Sequence, residues 1–152
     1  SKRHYNKYPF FMLKLSVTID RLLGVSSNVK EKARNYIPEL IRFKINRFLY
    51  RVGDYVVRIV IVKLPARTIN RLTDRETDRL RKIKNRDILV SCTCKFWKYG
   101  GPDFNAFILG YSERTKSNLQ PPDERDPNRK NFICQHAYAA LKKFRDEIKT
   151  VD

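Results

Sequence analysis

The chain has 152 residues, 41% of them hydrophobic, with Lys+Arg 33 against Asp+Glu 16 and a net charge of +17. That length carries a real core, and the charge favours polyanionic partners such as nucleic acid or acidic neighbouring subunits. No run of about 20 apolar residues is present to span a bilayer as a helix, and an odd cysteine count excludes a self-contained disulfide scaffold and fits a reducing compartment.

Residues 1–9 read as a polar, aromatic arm. Lys2, Arg3, His4 and Lys7 are interleaved with Tyr5 and Tyr8, a pattern suited either to a phosphate backbone or to a solvated end. From Phe10 the alternation of Leu13, Leu15, Val17 and Ile19 predicts a strand, with Leu22 and Leu23 opening a turn of helix. Ser26, Ser27 and Asn28 offer a helix N-cap with Glu31 in the first turn, and Pro38 ends or kinks that helix. Leu40, Ile41, Ile45, Phe48 and Leu49 then recur at helical spacing while Arg42, Lys44, Arg47 and Arg51 project elsewhere, which predicts an amphipathic basic helix. Gly53-Asp54 closes it, and the β-branched run from Tyr55 to Leu64 predicts a strand that Pro65 stops.

Thr73 and Glu76 form a capping box for a surface helix over 74–84. Around it Arg67, Arg71, Arg75, Arg79, Arg81, Lys82, Lys84 and Arg86 make the most basic stretch and the candidate surface for nucleic acid or a partner. Ile88, Leu89 and Val90 predict a short strand running into Cys92-Thr93-Cys94. Gly100-Gly101-Pro102 is a turn, Phe104 to Tyr111 reads as a returning strand, and 112–131 as a polar loop in which Asp126 or Asn128 caps the next element. Ile133, Ala137, Ala140, Leu141, Phe144 and Ile148 line one face of that element, a final helix over 131–148.

All three cysteines fall in one arrangement: Cys92-x-Cys94, a long gap, then Cys134-x-His136. Four soft donors in two pairs meet the demand of a tetrahedral structural Zn²⁺. Residues two apart on a regular helix point about 200° apart. Both members of the second pair therefore reach one ion only if Cys134 lies at or before the helix start. Phe96, Trp97 and Tyr99 either cover this site and pack on the last helix or offer a stacking platform for bases. Arg125 and Asp126 are expected to fix the loop beside the ligands, with Thr93 and Gln135 facing outward. The expected fold is α+β. A C-terminal zinc-bound ββα unit over 87–152 packs with a basic N-terminal helix and strand region over 1–86, as two units or one continuous domain.

Cys92-x-Cys94 with Cys134-x-His136 resembles the SWIM zinc finger, a family with the pattern C-x-C, variable gap, C-x-H. The resemblance implies zinc ligation by Cys92, Cys94, Cys134 and His136, a ββα fold, and a binding role in DNA- or protein-associated machinery. The run from Cys92 through Phe96-Trp97-Lys98-Tyr99-Gly100-Gly101-Pro102, then Arg125-Asp126-Pro127-Asn128, then Ile133-Cys134-Gln135-His136, looks like small SWIM-like proteins of tailed bacteriophages. That similarity implies a structural role in a virion, and a location in the particle or the host cytoplasm. No catalytic residue is expected. All three thiols serve the ion, and Asp54, Asp87 and Asp103 are the only acids near strand ends. The expected function is a non-catalytic, zinc-stabilised basic interaction protein contacting DNA or neighbouring subunits. The alternative is a sequence-tolerant DNA- or RNA-binding module of a nucleic-acid-processing complex.

Overall fold

A four-stranded antiparallel sheet with helices on its apolar face organises the chain. The computed structural model describes residues 18–44, 46–62, 88–113 and 121–151. The strands are β1 (Glu39–Lys44), β2 (Arg47–Val52), β3 (Tyr55–Ile61) and β4 (Ile88–Cys92), in the spatial order β1-β2-β3-β4. The helices are α1 (Ile19–Val25), a 3₁₀ turn (Ser27–Val29), α2 (Lys30–Ala33), α3 (Lys95–Tyr99), α4 (Pro102–Leu109) and α5 (Gln135–Val151).

Period-two burial drives the sheet. Phe48, Tyr50 and Val52 of β2, Val57, Ile59 and Ile61 of β3, and Ile88, Val90 and Cys92 of β4 all turn to one side. There they meet Ala137, Ala140, Leu141 and Phe144 of α5, together with Ile19, Leu22 and Leu23 of α1. The Phe48 and Phe144 rings lie 4.6 Å apart, and the buried Tyr50 hydroxyl donates to Glu147 at 2.8 Å. β3 and β4, on either side of residues 66–86, pair from Val57–Cys92 to Ile61–Ile88 and share this one core.

The sequence places strands over 55–64 and 88–90, and the structure has strands at Tyr55–Ile61 and Ile88–Cys92; several other elements differ. The basic helix expected from Leu40 onward is the β1–β2 hairpin, with Phe43 opposite Phe48 and Lys44 opposite Arg47. The helical spacing of its apolar residues is incidental: Phe48 is buried, whereas Leu40 and Ile41 are exposed. Pairing with β3 rewards the two-residue alternation of β2 instead. Of the strand expected through Leu13, Leu15, Val17 and Ile19, the first three lie outside the described residues, and Ile19 begins a helix capped by Thr18, whose Oγ1 accepts the Arg21 amide at 3.2 Å. The helix expected after Ser26 is a 3₁₀ turn and the one-turn α2, finished before Pro38, and the Ser26 side chain makes no capping bond.

The returning strand expected over 104–111 is helix α4. Pro102 sits in its first turn, and Gly110 ends it in the left-handed region at φ 89°, the Pro-start and Gly-stop asymmetry of a helix. Tyr111, just beyond, bonds strand-fashion to β4, its carbonyl accepting the Val90 amide at 3.0 Å. The last helix packs against β2, β3 and β4. That helix starts at Gln135, capped by neither Asp126 nor Asn128. The proposed arm at 1–9, the helix over 74–84 and the basic residues from Arg67 to Arg86 lie outside the described residues.

Candidate metal centre

Strand periodicity builds one half of the site. Cys92 closes β4 on the core face that Ile88 and Val90 share. Thr93 continues the extended course, its amide donating to the Val56 carbonyl at 3.1 Å and its Oγ1 accepting the Val56 amide at 3.0 Å. Cys94 therefore returns to the same face two residues on. Thr93 between them is exposed, as an outward residue is.

A helix start builds the other half. Cys134 is buried immediately ahead of α5, and its Sγ accepts the Ala137 amide at 3.3 Å. His136 follows in the first turn, 5% exposed, with its Nδ1 3.9 Å from the Cys92 Sγ. The donor atoms of Cys92, Cys94, Cys134 and His136 all lie within 4.8 Å of one another, and all four residues are buried.

Three sulfurs this close cannot all ionise by themselves. Cys94 is pulled well below the ordinary thiol range by hydrogen bonds from Cys134 and Cys92 and by the Trp97 amide. Burial, then the hydrogen bonds to the Cys92 and Cys94 sulfurs, push Cys134 well above it. Cys92 also ends high: the Cys134 hydrogen bond lowers it, but its bond to Cys94 and burial outweigh that. A divalent cation reverses this competition by stabilising every thiolate.

The donor set suits zinc. A Zn–S bond of about 2.3 Å puts tetrahedral sulfurs about 3.8 Å apart, compatible with the spacing here. Four protein donors fill all four tetrahedral positions, the pattern of a closed structural site. A cleft of about 530 Å³, lined by Arg58, Ser91, Lys98, Asp103 and Glu113, opens against Cys92 and Cys94 and gives an ion an entry path.

The N-terminal half supplies walls that the motif gave no hint of. The His136 ring stands between Tyr36, 4.8 Å away and nearly edge-on at 70°, and Tyr55, 4.7 Å away. Gln135, half-buried rather than outward, donates to the Tyr36 hydroxyl at 2.9 Å. The nearest sequence signal for these walls is that each tyrosine abuts a turn, Tyr36 before Pro38 and Tyr55 after Gly53-Asp54.

The three aromatics after Cys94 divide: Trp97 is buried in the core, while Phe96 and Tyr99 are 41% and 54% exposed. Arg125 is exposed and Asp126 buried. Asp126 accepts the Lys130 amide at 2.7 Å and the Asn105 side-chain amide at 2.9 Å. Arg129, fully buried with φ 53°, was not singled out by sequence. It donates to the Asp126 carbonyl at 2.6 Å, pairs with Asp123, and stacks 5.2 Å from the Phe104 ring.

Residues 80–103 and 128–144 match the family model of the SWIM zinc finger. No curated protein and no solved structure matches the chain. The matched segments bring all four donors of the buried cluster together, and match and geometry jointly support a zinc-binding SWIM module in this chain.

Proposed function

We propose that the protein is a non-catalytic, zinc-stabilised interaction module whose partner is nucleic acid, contacted through its phosphates without sequence selection. The carrying observation is a closed, buried four-donor cluster inside a chain of net charge +17. The ion would fasten β4 to α5 and so contribute folding free energy, and four protein donors offer a substrate no vacant coordination position.

Described surfaces support a polyanionic partner. On the β1–β2 hairpin Arg42, Lys44, Arg47 and Arg51 are exposed, and Lys44 stands directly opposite Arg47. Like charges facing each other across strands repel, and a phosphate between them relieves that repulsion. On α3 the exposed Phe96 and Tyr99 sit three apart, flanked by the exposed Lys95 and Lys98, with the Lys98 ammonium 5.4 Å from the Tyr99 ring centre. Aromatic and cationic side chains together stack bases of any sequence. The basic residues from Arg67 to Arg86 would add to the positive charge offered to a polyanion. As a phage-particle component, the protein would present the same surfaces to packaged DNA.

The test is binding of the zinc-loaded protein to duplex and single-stranded nucleic acid over a range of salt. Log affinity should fall linearly with log salt, with a slope set by the phosphates neutralised, and should be equal across sequences. Binding that is absent at low salt, or indifferent to salt, overturns the proposal.

A further inference from the structure

The family match omits residues 104–127, the middle of the long gap between the ligand pairs, and a buried carboxylate near the end of that gap gathers partners from both sides of it. Asp126 is 4% exposed. Its Oδ1 accepts the Lys130 amide at 2.7 Å and the Asn131 amide at 3.3 Å, and its Oδ2 accepts the Asn131 amide at 3.2 Å and the Asn105 Nδ2 at 2.9 Å. The same Asn105 nitrogen donates to the Asn131 carbonyl at 2.8 Å, and Asn131 Nδ2 donates to the Gly100 carbonyl at 2.8 Å. Gly101, at φ 123°, packs so close that a Cβ there would collide with the Asp126 carboxylate.

The partners fall at two meaningful places. Gly100 and Gly101 end α3, the helix that Cys94 caps. Asn131 lies three residues ahead of Cys134. The network thus joins the segment leaving one ligand pair to the segment approaching the other. An ion that had to bring the two pairs together unaided would bear the entropy of closing positions 95–133, whereas a loop already tied at Gly100 and Asn131 leaves only short tethers to order.

We infer that Asp126 is a positioning residue for the metal centre, holding the Cys92–Cys94 and Cys134–His136 pairs in register so that an ion meets a partly assembled site. This rests on zinc binding by the four donors, and Asp126 and Asn105 themselves lie outside the matched segments. Replacing Asp126 with Asn leaves a donor facing a donor whichever way the amide turns, because the partners of both carboxylate oxygens are N–H groups.

The test uses the full chain, zinc-loaded and zinc-stripped. Asp126→Asn should lower zinc affinity about tenfold or more in chelator competition, on the scale of outer-sphere positioning groups. It should alter the d–d absorption of the Co²⁺-substituted protein and abolish hydrogen-exchange protection of the Lys130 and Asn131 amides in the metal-free state. Tyr50→Phe, which removes the Tyr50–Glu147 bond and touches none of the Asp126 network, should lower stability and leave zinc affinity and the Co²⁺ spectrum as in the wild type. If Asp126→Asn does not fold, Asn105→Ala removes only the bridging amide and carries the same test. Wild-type affinity and spectrum in a variant that melts lower by the same amount with and without zinc overturn the inference. Failure of the wild type to bind zinc is a different result and sinks the zinc reading itself.

Discussion

Cys94 and Cys134 occupy the same position in two different helices. Each immediately precedes a helix, and each Sγ accepts the backbone amide three residues on, from Trp97 and from Ala137, both at 3.3 Å. Two orphan amides at helix starts are thereby satisfied by sulfur, and the positive ends of both helices favour thiolate. Capping and metal ligation are combined in one side chain at each place, and they are separable.

Cys134→Ser keeps a good N-cap but removes a soft ligand. Zinc content should fall from about one ion per chain to well below that, while far-UV circular dichroism still reports α5. Cys134→Ala loses the cap as well, and its helix should be less stable by about 1 kcal/mol more than in the serine variant. Metal analysis and thermal melts separate the two effects.

Removing zinc with a chelator should lower the melting temperature markedly, because the ion joins elements distant in sequence. Acid should act in the same direction. The ligands bind metal as thiolates and neutral imidazole, so protons compete as the pH falls. The stabilisation is present at neutral pH and lost on acidification, whereas the chelated protein should change little over that range. Melting curves against pH with and without zinc check both.

At the alkaline end Tyr50 is one contributor. Burial first, and then the hydrogen bond to Glu147 and its charge, raise its pKa above the ordinary phenol value. The folded state holds this proton more tightly than the unfolded chain, so the contribution is complete below about pH 10 and lost as the pH rises further. Tyr50→Phe should cost about 1 kcal/mol at neutral pH and flatten the alkaline limb of the stability profile.

Tyr36→Phe breaks the bond from Gln135 and should cost about 1 kcal/mol. Tyr36→Ala also opens one wall of the His136 ring and should weaken zinc binding further. Chelator competition on both variants distinguishes loss of the hydrogen bond from loss of the wall.

On the hairpin, Lys44→Ala and Arg47→Ala should each weaken nucleic-acid binding equally across sequences and reduce the salt slope by about one. Because the two charges repel across the strands, either change should leave stability unchanged or raise it. Salt titrations and melts of the same proteins check the pair of effects.

The four donors were legible in the sequence because soft ligands in two close pairs have few other uses, and the helix geometry of Cys134-x-His136 required that cysteine to precede the helix. The strands at Tyr55–Ile61 and Ile88–Cys92 were legible from β-branched runs. The stretch from Leu40 was not, since its apolar residues satisfy a helical period by chance and only pairing with β3 selects the alternation of Phe48, Tyr50 and Val52. Helix α4 was misread although Pro102 and Gly110 bracket it as start and stop, because Phe104 to Tyr111 is also a plausible apolar strand.

What the sequence determined by itself was therefore local chemistry: donor types, their spacing, and an excess of positive charge. Those are properties of single side chains and near neighbours. Which tyrosines wall His136, which glycine leaves room for the Asp126 carboxylate, and which of Phe96, Trp97 and Tyr99 is buried were decided only by the tertiary structure. Each of these joins segments distant in sequence whose approach depends on tertiary packing, and no spacing along the chain encodes that.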